Sequence, residues 1–194
     1  MIKIKHRVNK TIDLKNTDSN LGIEVDIRSN GKNLIIHHDP FEKGEYFQEW
    51  LVHYKHKMLI LNVKEEGLEE LLIKLMEKAK IEDYFFLDQS FPFLLRYSKK
   101  SKGRSAIRFS EFESIQTVYK LNTICNWVWI DCFSKIPITR KQFNKLKELN
   151  FRICIVSPEL QGKNPNIEIL KMKNLLKKKM IYPDAVCTKY PELW

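Results

Sequence analysis

In GIEVDIRS, residues 22–29, two carboxylates stand two positions apart in an aliphatic run. A strand there projects Glu24 and Asp26 to one face, where an uncompensated carboxylate among apolar neighbours is costly. A divalent cation with oxygen ligands would balance the pair, and so would a lysine or arginine on a neighbouring strand. For an isolated Glu-x-Asp the ion pair is the simpler reading. Other polar residues gather at the ends of strand-like runs: His6 and Arg7 after Ile2–Lys5, His37, His38 and Asp39 after NLII, and Lys64 after MLILNV.

The elements that must position these residues alternate regularly. GIEVDIRS and NLIIHH flank Asn30-Gly31, a strong tight-turn signal between apolar alternations. A helix is expected from Glu45 to His53. MLILNV follows as a strand, and then a helix places Leu68, Leu71, Leu72 and Leu75 in one stripe. YFFLD, SAIRF, VWID, FRICIV and DAVCT are further strands. Ser110-Glu111-Phe112-Glu113 and Thr139-Arg140-Lys141-Gln142 read as capping boxes, and Asn164-Pro165 as a helix N-cap followed by proline at the first helical position. Phe143, Leu146 and Leu149 form the buried side of the helix after Thr139. The hairpin counted as one, eight strand positions emerge, most followed by a helix. Parallel pairing with right-handed crossovers and eight such units predict an α/β fold, a compact (β/α)8 TIM-type barrel in a single domain of residues 1–194, with an open doubly wound sheet as the competitor. In a barrel the chemistry comes from strand carboxyl ends and the loops after them.

Composition narrows the function classes. The chain has 194 residues, 34 basic against 24 acidic, and a formal charge of +10. With 43% hydrophobic residues, 6 glycines and 7 prolines it builds a core rather than a linker or disordered tail. No apolar run reaches the ~20 residues of a membrane span, and the first ten residues lack a signal-peptide pattern, so a cytoplasmic location is expected. Cys125, Cys132, Cys154 and Cys187 show no zinc or redox spacing and read as buried free thiols. The basic excess lies in residues 98–194, which hold 19 basic and 8 acidic side chains. Its densest stretch, KMKNLLKKK, reads as a solvated helix face, with Leu170, Met172, Leu175 and Leu176 at helical spacing. Without a base-reading motif or interleaved aromatics, no specific nucleic-acid partner is expected. His53 and His56 read as a solvated connection, and Trp127, Trp129, Phe85 and Phe86 as packing. No P-loop, dinucleotide fingerprint or nucleophile elbow occurs, which disfavours nucleotide-triphosphate and acyl-transfer chemistry.

The ordered series His6-Arg7, Lys15-Asn16-Thr17, IEVDI, Asn-Gly and IIHHDP resembles the N-terminal signature of the glycerophosphodiester phosphodiesterase family, within the phosphatidylinositol phospholipase C-like phosphodiesterases. That signature runs H-R-G, E-N-T, I-E-x-D-V and V-V-x-H-D. ILNVK resembles the family's N-I-E-I-K, and DAVCTKYPELW its closing strand and turn. The resemblance implies a metal-dependent phosphodiesterase acting on a small glycerophosphodiester, with a role in lipid metabolism. His6 and His38 would be its acid and base, Arg7 would clamp the phosphate, and Lys64 would meet charge growing in the transition state. Glu24, Asp26 and Asn62 would hold Mg²⁺ or Ca²⁺. In such enzymes a substrate hydroxyl beside the phosphate can attack first, giving a cyclic phosphate that water then opens.

Four positions depart from the pattern: Val8 for glycine, Lys15 for glutamate, Asn62 for the third-strand glutamate, and Lys189 for the closing aspartate. Loss of the glutamate lowers the expected cation affinity and favours an alternative, a barrel that binds a phosphorylated sugar, lipid or polymer unit without cleaving it. Asp39, Asp88, Asp131 and Glu159 lie near strand carboxyl ends, where one could supply a replacement carboxylate. Between the adjacent histidines, the following aspartate selects His38, whereas spacing from Gly31 suits His37. Adjacent strand residues face opposite ways, so only one is expected to face the mouth, the other being a surface or packing histidine.

Overall fold

A computed structural model covers residues 1–194. In chain order the strands are β1 (Ile2–Lys5), β2 (Gly22–Asn30), β3 (Asn33–Ile36), β4 (Glu45–Tyr46), β5 (Met58–Val63), β6 (Tyr84–Leu87), β7 (Ala106–Phe109), β8 (Trp127–Ile130), β9 (Arg152–Val156) and β10 (Ala185–Thr188). The helices are α1 (Thr11–Lys15), α2 (Phe47–Leu51), α3 (Glu69–Lys78), α4 (Phe91–Tyr97), α5 (Ile115–Lys120), α6 (Arg140–Glu148) and α7 (Pro165–Lys178). All eight expected strand positions are present. The chain forms two compact units, residues 6–105 and residues 1–5 with 106–194.

In the first of these units β2, β5 and β6 pair in parallel, while β2, β3 and β4 form an antiparallel meander. Strand alternation separates two chemistries on β2 and β5. Ile23, Val25, Ile27, Leu59, Leu61 and Val63 join one apolar cluster with Phe47, Trp50, Leu72 and Met76 from the helices. Glu24, Asp26 and Asn62, at the intervening positions, turn to the other face. Two helix expectations shift. Glu45 and Tyr46 pair with Ile36 and Ile35 as strand, so helix begins only at Phe47. Gly44 permits this turn, since a Cβ there would stand 2.2 Å from the Ile36 carbonyl oxygen. In α3 the buried side is Leu72, Ile73 and Met76, packed beside Leu68, and Leu71 is exposed. The helix is rotated toward Glu69, which is buried and whose carboxylate accepts from the Gly67 N–H and from Gln89.

In the other unit β1, β10, β9, β8 and β7 pair in parallel in that spatial order. The Thr139 capping box forms, with Thr139 Oγ1 accepting from the Gln142 N–H and Gln142 Oε1 accepting from the Thr139 N–H. Asn164 caps α7 by accepting from the Asn166 N–H at 3.0 Å. Ser110 and Glu113 do not cap a helix. Their side chains bond each other, and Ser114 caps α5 four residues later. In α7 Ile169, Met172 and Leu176 are buried, while Leu170 and Leu175 are exposed. The four cysteines are buried free thiols, and burial pushes Cys125 and Cys132 up to about 12. No helix is long and apolar enough to cross a membrane.

Candidate active site

The polar face of β2 and β5 brings the predicted residues together within the unit of residues 6–105. Asp26 lies opposite Asn62 in the parallel register, and Lys64 follows β5 with its N–H bonded to the Ile27 carbonyl. Glu24 and Asp26 are wholly buried. Glu24 accepts from Asn62 Nδ2 at 2.8 Å and from the Arg7 N–H at 2.6 Å, with His6 Nε2 at 3.8 Å. Burial, then the charge of Asp26, pushes its carboxyl up from near 4.5 to about 7, against the hydrogen bonds from Asn62 and Arg7 and the charge of Lys64.

Asp26 is compensated differently. Lys64 Nζ stands 3.2 Å from it, Arg7 Nε 3.4 Å, and Asn9 donates to it at 2.8 Å while accepting from the Asp26 N–H. The ion-pair reading of Glu-x-Asp therefore holds for Asp26, from a neighbouring strand as required. Arg7 makes both contacts from a left-handed backbone with φ of 56°, a conformation costing roughly 1–2 kcal/mol away from glycine. The strain buys an N–H aimed at Glu24 and a guanidinium aimed at Asp26.

His37 and His38 lie beyond the end of β3, so strand alternation does not separate them. Both line one cleft of about 570 Å³ with Arg7, Asn9, Lys10 and Lys43. His38 Nδ1 is 2.7 Å from Asp39 Oδ1, and this bond holds the Asp39 carboxyl below its ordinary range. His37 Nδ1 accepts from the Asp39 N–H at 3.1 Å. Arg28 donates through Nε and Nη2 to the His38 carbonyl at 3.1 and 2.9 Å, tying β2 to the histidine turn. His56, expected in a solvated connection, is instead buried with Nε2 against the Thr17 carbonyl at 3.0 Å, and burial lowers its pKa.

Sequence reasoning missed Asn9, Arg28 and the pairing of Asp39 with His38. Arg28 shares the parity of Glu24 and Asp26 in β2, which was a usable signal. Asn9 is brought in by a turn that no local pattern announces. None of the proposed substitute carboxylates completes a metal cluster. Asp39 bonds His38, Asp88 is 3.3 Å from Lys64, Asp131 binds Arg108 at 2.9 Å, and Glu159 accepts from Thr188 and the Lys189 N–H. No group of three or more His, Cys, Asp or Glu side chains converges to hold a metal. The donor set is two carboxylates and one amide. Because the Asn62 NH₂ faces Glu24, its Oδ1 is left buried without a hydrogen bond. That unpartnered oxygen, beside a Glu24 carboxylate that has no lysine or arginine side chain of its own, fits a hard cation held more weakly than three carboxylates would hold it.

No family model and no curated protein matches the sequence. Structure is more informative. The chain is similar to a glycerophosphodiester phosphodiesterase from Parabacteroides distasonis ATCC 8503, with a TM-score of 0.65 and 13% identity over 98% of this chain and 93% of that one. It is similar to another from Agrobacterium tumefaciens str. C58, with a TM-score of 0.66 and 11% identity over 100% and 97% of the two chains. A mutant tryptophan synthase α-subunit from Pyrococcus furiosus matches at a TM-score of 0.54, with 9% identity over 98% and 88%. These likenesses show the fold, the α/β class of the (β/α)8 barrel that the strand count predicts, and they show it alone.

Proposed function

We propose that the chain is a phosphodiesterase acting on a glycerophosphodiester-like substrate at the cleft beside His38. The observation that carries this reading is that Arg7 joins a buried carboxylate pair to a cleft lined by an Asp39-supported histidine. The fold shared with two glycerophosphodiester phosphodiesterases supports it. The phosphate binds to the Arg7 guanidinium and the Lys64 ammonium, which neutralise charge building on its oxygens as the nucleophile adds. Asp39 accepts the Nδ1 proton of His38, fixing the tautomer whose Nε2 takes the proton of the attacking hydroxyl or water. His6 gives its proton to the departing oxygen as the P–O bond breaks. Asn9 and Arg28 hold Asp26 and the histidine turn in place. Glu24, Asp26 and Asn62 would hold Mg²⁺ or Ca²⁺, which when bound supplies further positive charge to the phosphate.

The test is turnover of glycerophosphodiesters and an aryl phosphodiester with Mg²⁺, Ca²⁺ or Mn²⁺, repeated for His38→Ala and Arg7→Ala. Removing a general base costs roughly 10²- to 10⁴-fold. Wild-type rates in both variants would overturn the assignment. Asn62 supports a second reading, a diester-binding barrel without hydrolysis, for which ligand binding with no turnover under any cation is the expected result.

A further inference from the structure

Two lysines line the cleft beside His38 and are not used by the proposed phosphate contacts. Its two carboxylates keep their charge but lie on other partners, Asp39 on His38 at 2.7 Å and Glu45 on the Thr11 N–H at 2.8 Å, and neither pairs with a lysine. Arg7 is turned toward Asp26 and the proposed phosphate position. Lys10 and Lys43 line the same cleft, are exposed, and pair with no carboxylate. They arrive from different segments, Lys10 from the turn before α1 and Lys43 from the turn that Gly44 closes against Ile36. The proposed phosphate contacts, Arg7 and Lys64, both also pair with Asp26, which leaves Lys10 and Lys43 as the cleft's unpaired cations.

We propose that Lys10 and Lys43 form a subsite for a second anionic group, a phosphate or a carboxylate, on the alcohol part of the substrate. This rests on the phosphodiesterase reading and gives it a substrate class: diesters of an acidic alcohol, in preference to those with a neutral or cationic head group. Two ammonium groups at a cleft wall attract such an anion and repel a choline through the same potential. For exposed pairs the gain is about threefold in affinity for each lysine, so about tenfold for both. The preference shrinks as salt screens the cleft.

The experiment compares kcat/KM for four glycerol diesters: one with a terminal phosphate, one of a hydroxy-carboxylic acid, glycerophosphoglycerol with its neutral alcohol and glycerophosphocholine with its cationic one. The first two arms separate phosphate from carboxylate recognition. The acidic diesters are expected to exceed the neutral one by about tenfold, with the choline ester lowest. In Lys10→Gln/Lys43→Gln the ratio falls toward one, whereas Lys74→Gln, on exposed α3, keeps it. Equal wild-type rates, or a preference that survives the double substitution, overturn the subsite. If no diester is turned over, the phosphodiesterase reading falls, and calorimetry with glycerol monophosphate and bisphosphate decides the subsite alone. Tighter bisphosphate binding lost in the double variant supports it, and equal binding of the two overturns it.

Discussion

Replacing Glu24 with glutamine should change how stability depends on pH. In the folded chain the Glu24 carboxyl is raised from near 4.5 to about 7, chiefly by burial and secondarily by Asp26. A raised acid binds its proton more tightly when folded, so its contribution is fully present below about pH 4.5 and is lost as pH rises toward 7. Each pH unit between those values is worth about 1.4 kcal/mol, so the total is on the order of 3 kcal/mol, a sizeable share of the roughly 5–15 kcal/mol that holds a domain folded. Glu24→Gln removes this slope. It also trades an acceptor of the Arg7 N–H for an amide, a pH-independent cost of about 1 kcal/mol, so the diagnostic is the change in the difference and not its size at one pH. His56 works in the opposite direction, because burial lowers its pKa and its stabilisation is lost as pH falls below about 6.5. Both proteins carry His56, and subtraction cancels it. Urea denaturation at about pH 5, 6, 7 and 8 should show the variant gaining on the wild type by on the order of 3 kcal/mol across that range. A constant difference would refute the claim that Glu24 is held as a strained, buried carboxyl.

Two further outcomes follow from local structure. Thr139→Ala removes the reciprocal cap of α6 and should cost about 1 kcal/mol, whereas Ser110→Ala, which caps no helix, should cost less; equal losses in denaturant midpoints would contradict the placement of α5 after Ser114. The four thiols, buried and with Cys125 and Cys132 pushed up to about 12, should resist an aromatic disulfide reagent in the native state and react together on unfolding; fast native labelling of any would contradict their burial.

Much was legible in the sequence alone: the succession of strands, the fold class and the parity that puts Glu24 and Asp26 on one face, because period-two alternation and turn residues are local properties; that Asn62 joins them depends on the pairing of β5 with β2. Legible too was that His6, Arg7, His38 and Lys64 stand at strand ends. Exact helix onset was less legible: Ser110 and Glu113 have the composition of a cap, but the backbone turns them toward each other. Tertiary structure alone decided how the buried charge is shared. Lys64 reaches Asp26 only because β5 pairs with β2 in this register, and Arg7 reaches both carboxylates only through its left-handed backbone. It also put His37 and His38 in one cleft by ending β3 before them, and rotated α3 to bury Glu69 instead of Leu71. Coulomb energy and desolvation depend on distances between residues far apart in the chain, and no spacing rule within one segment encodes those.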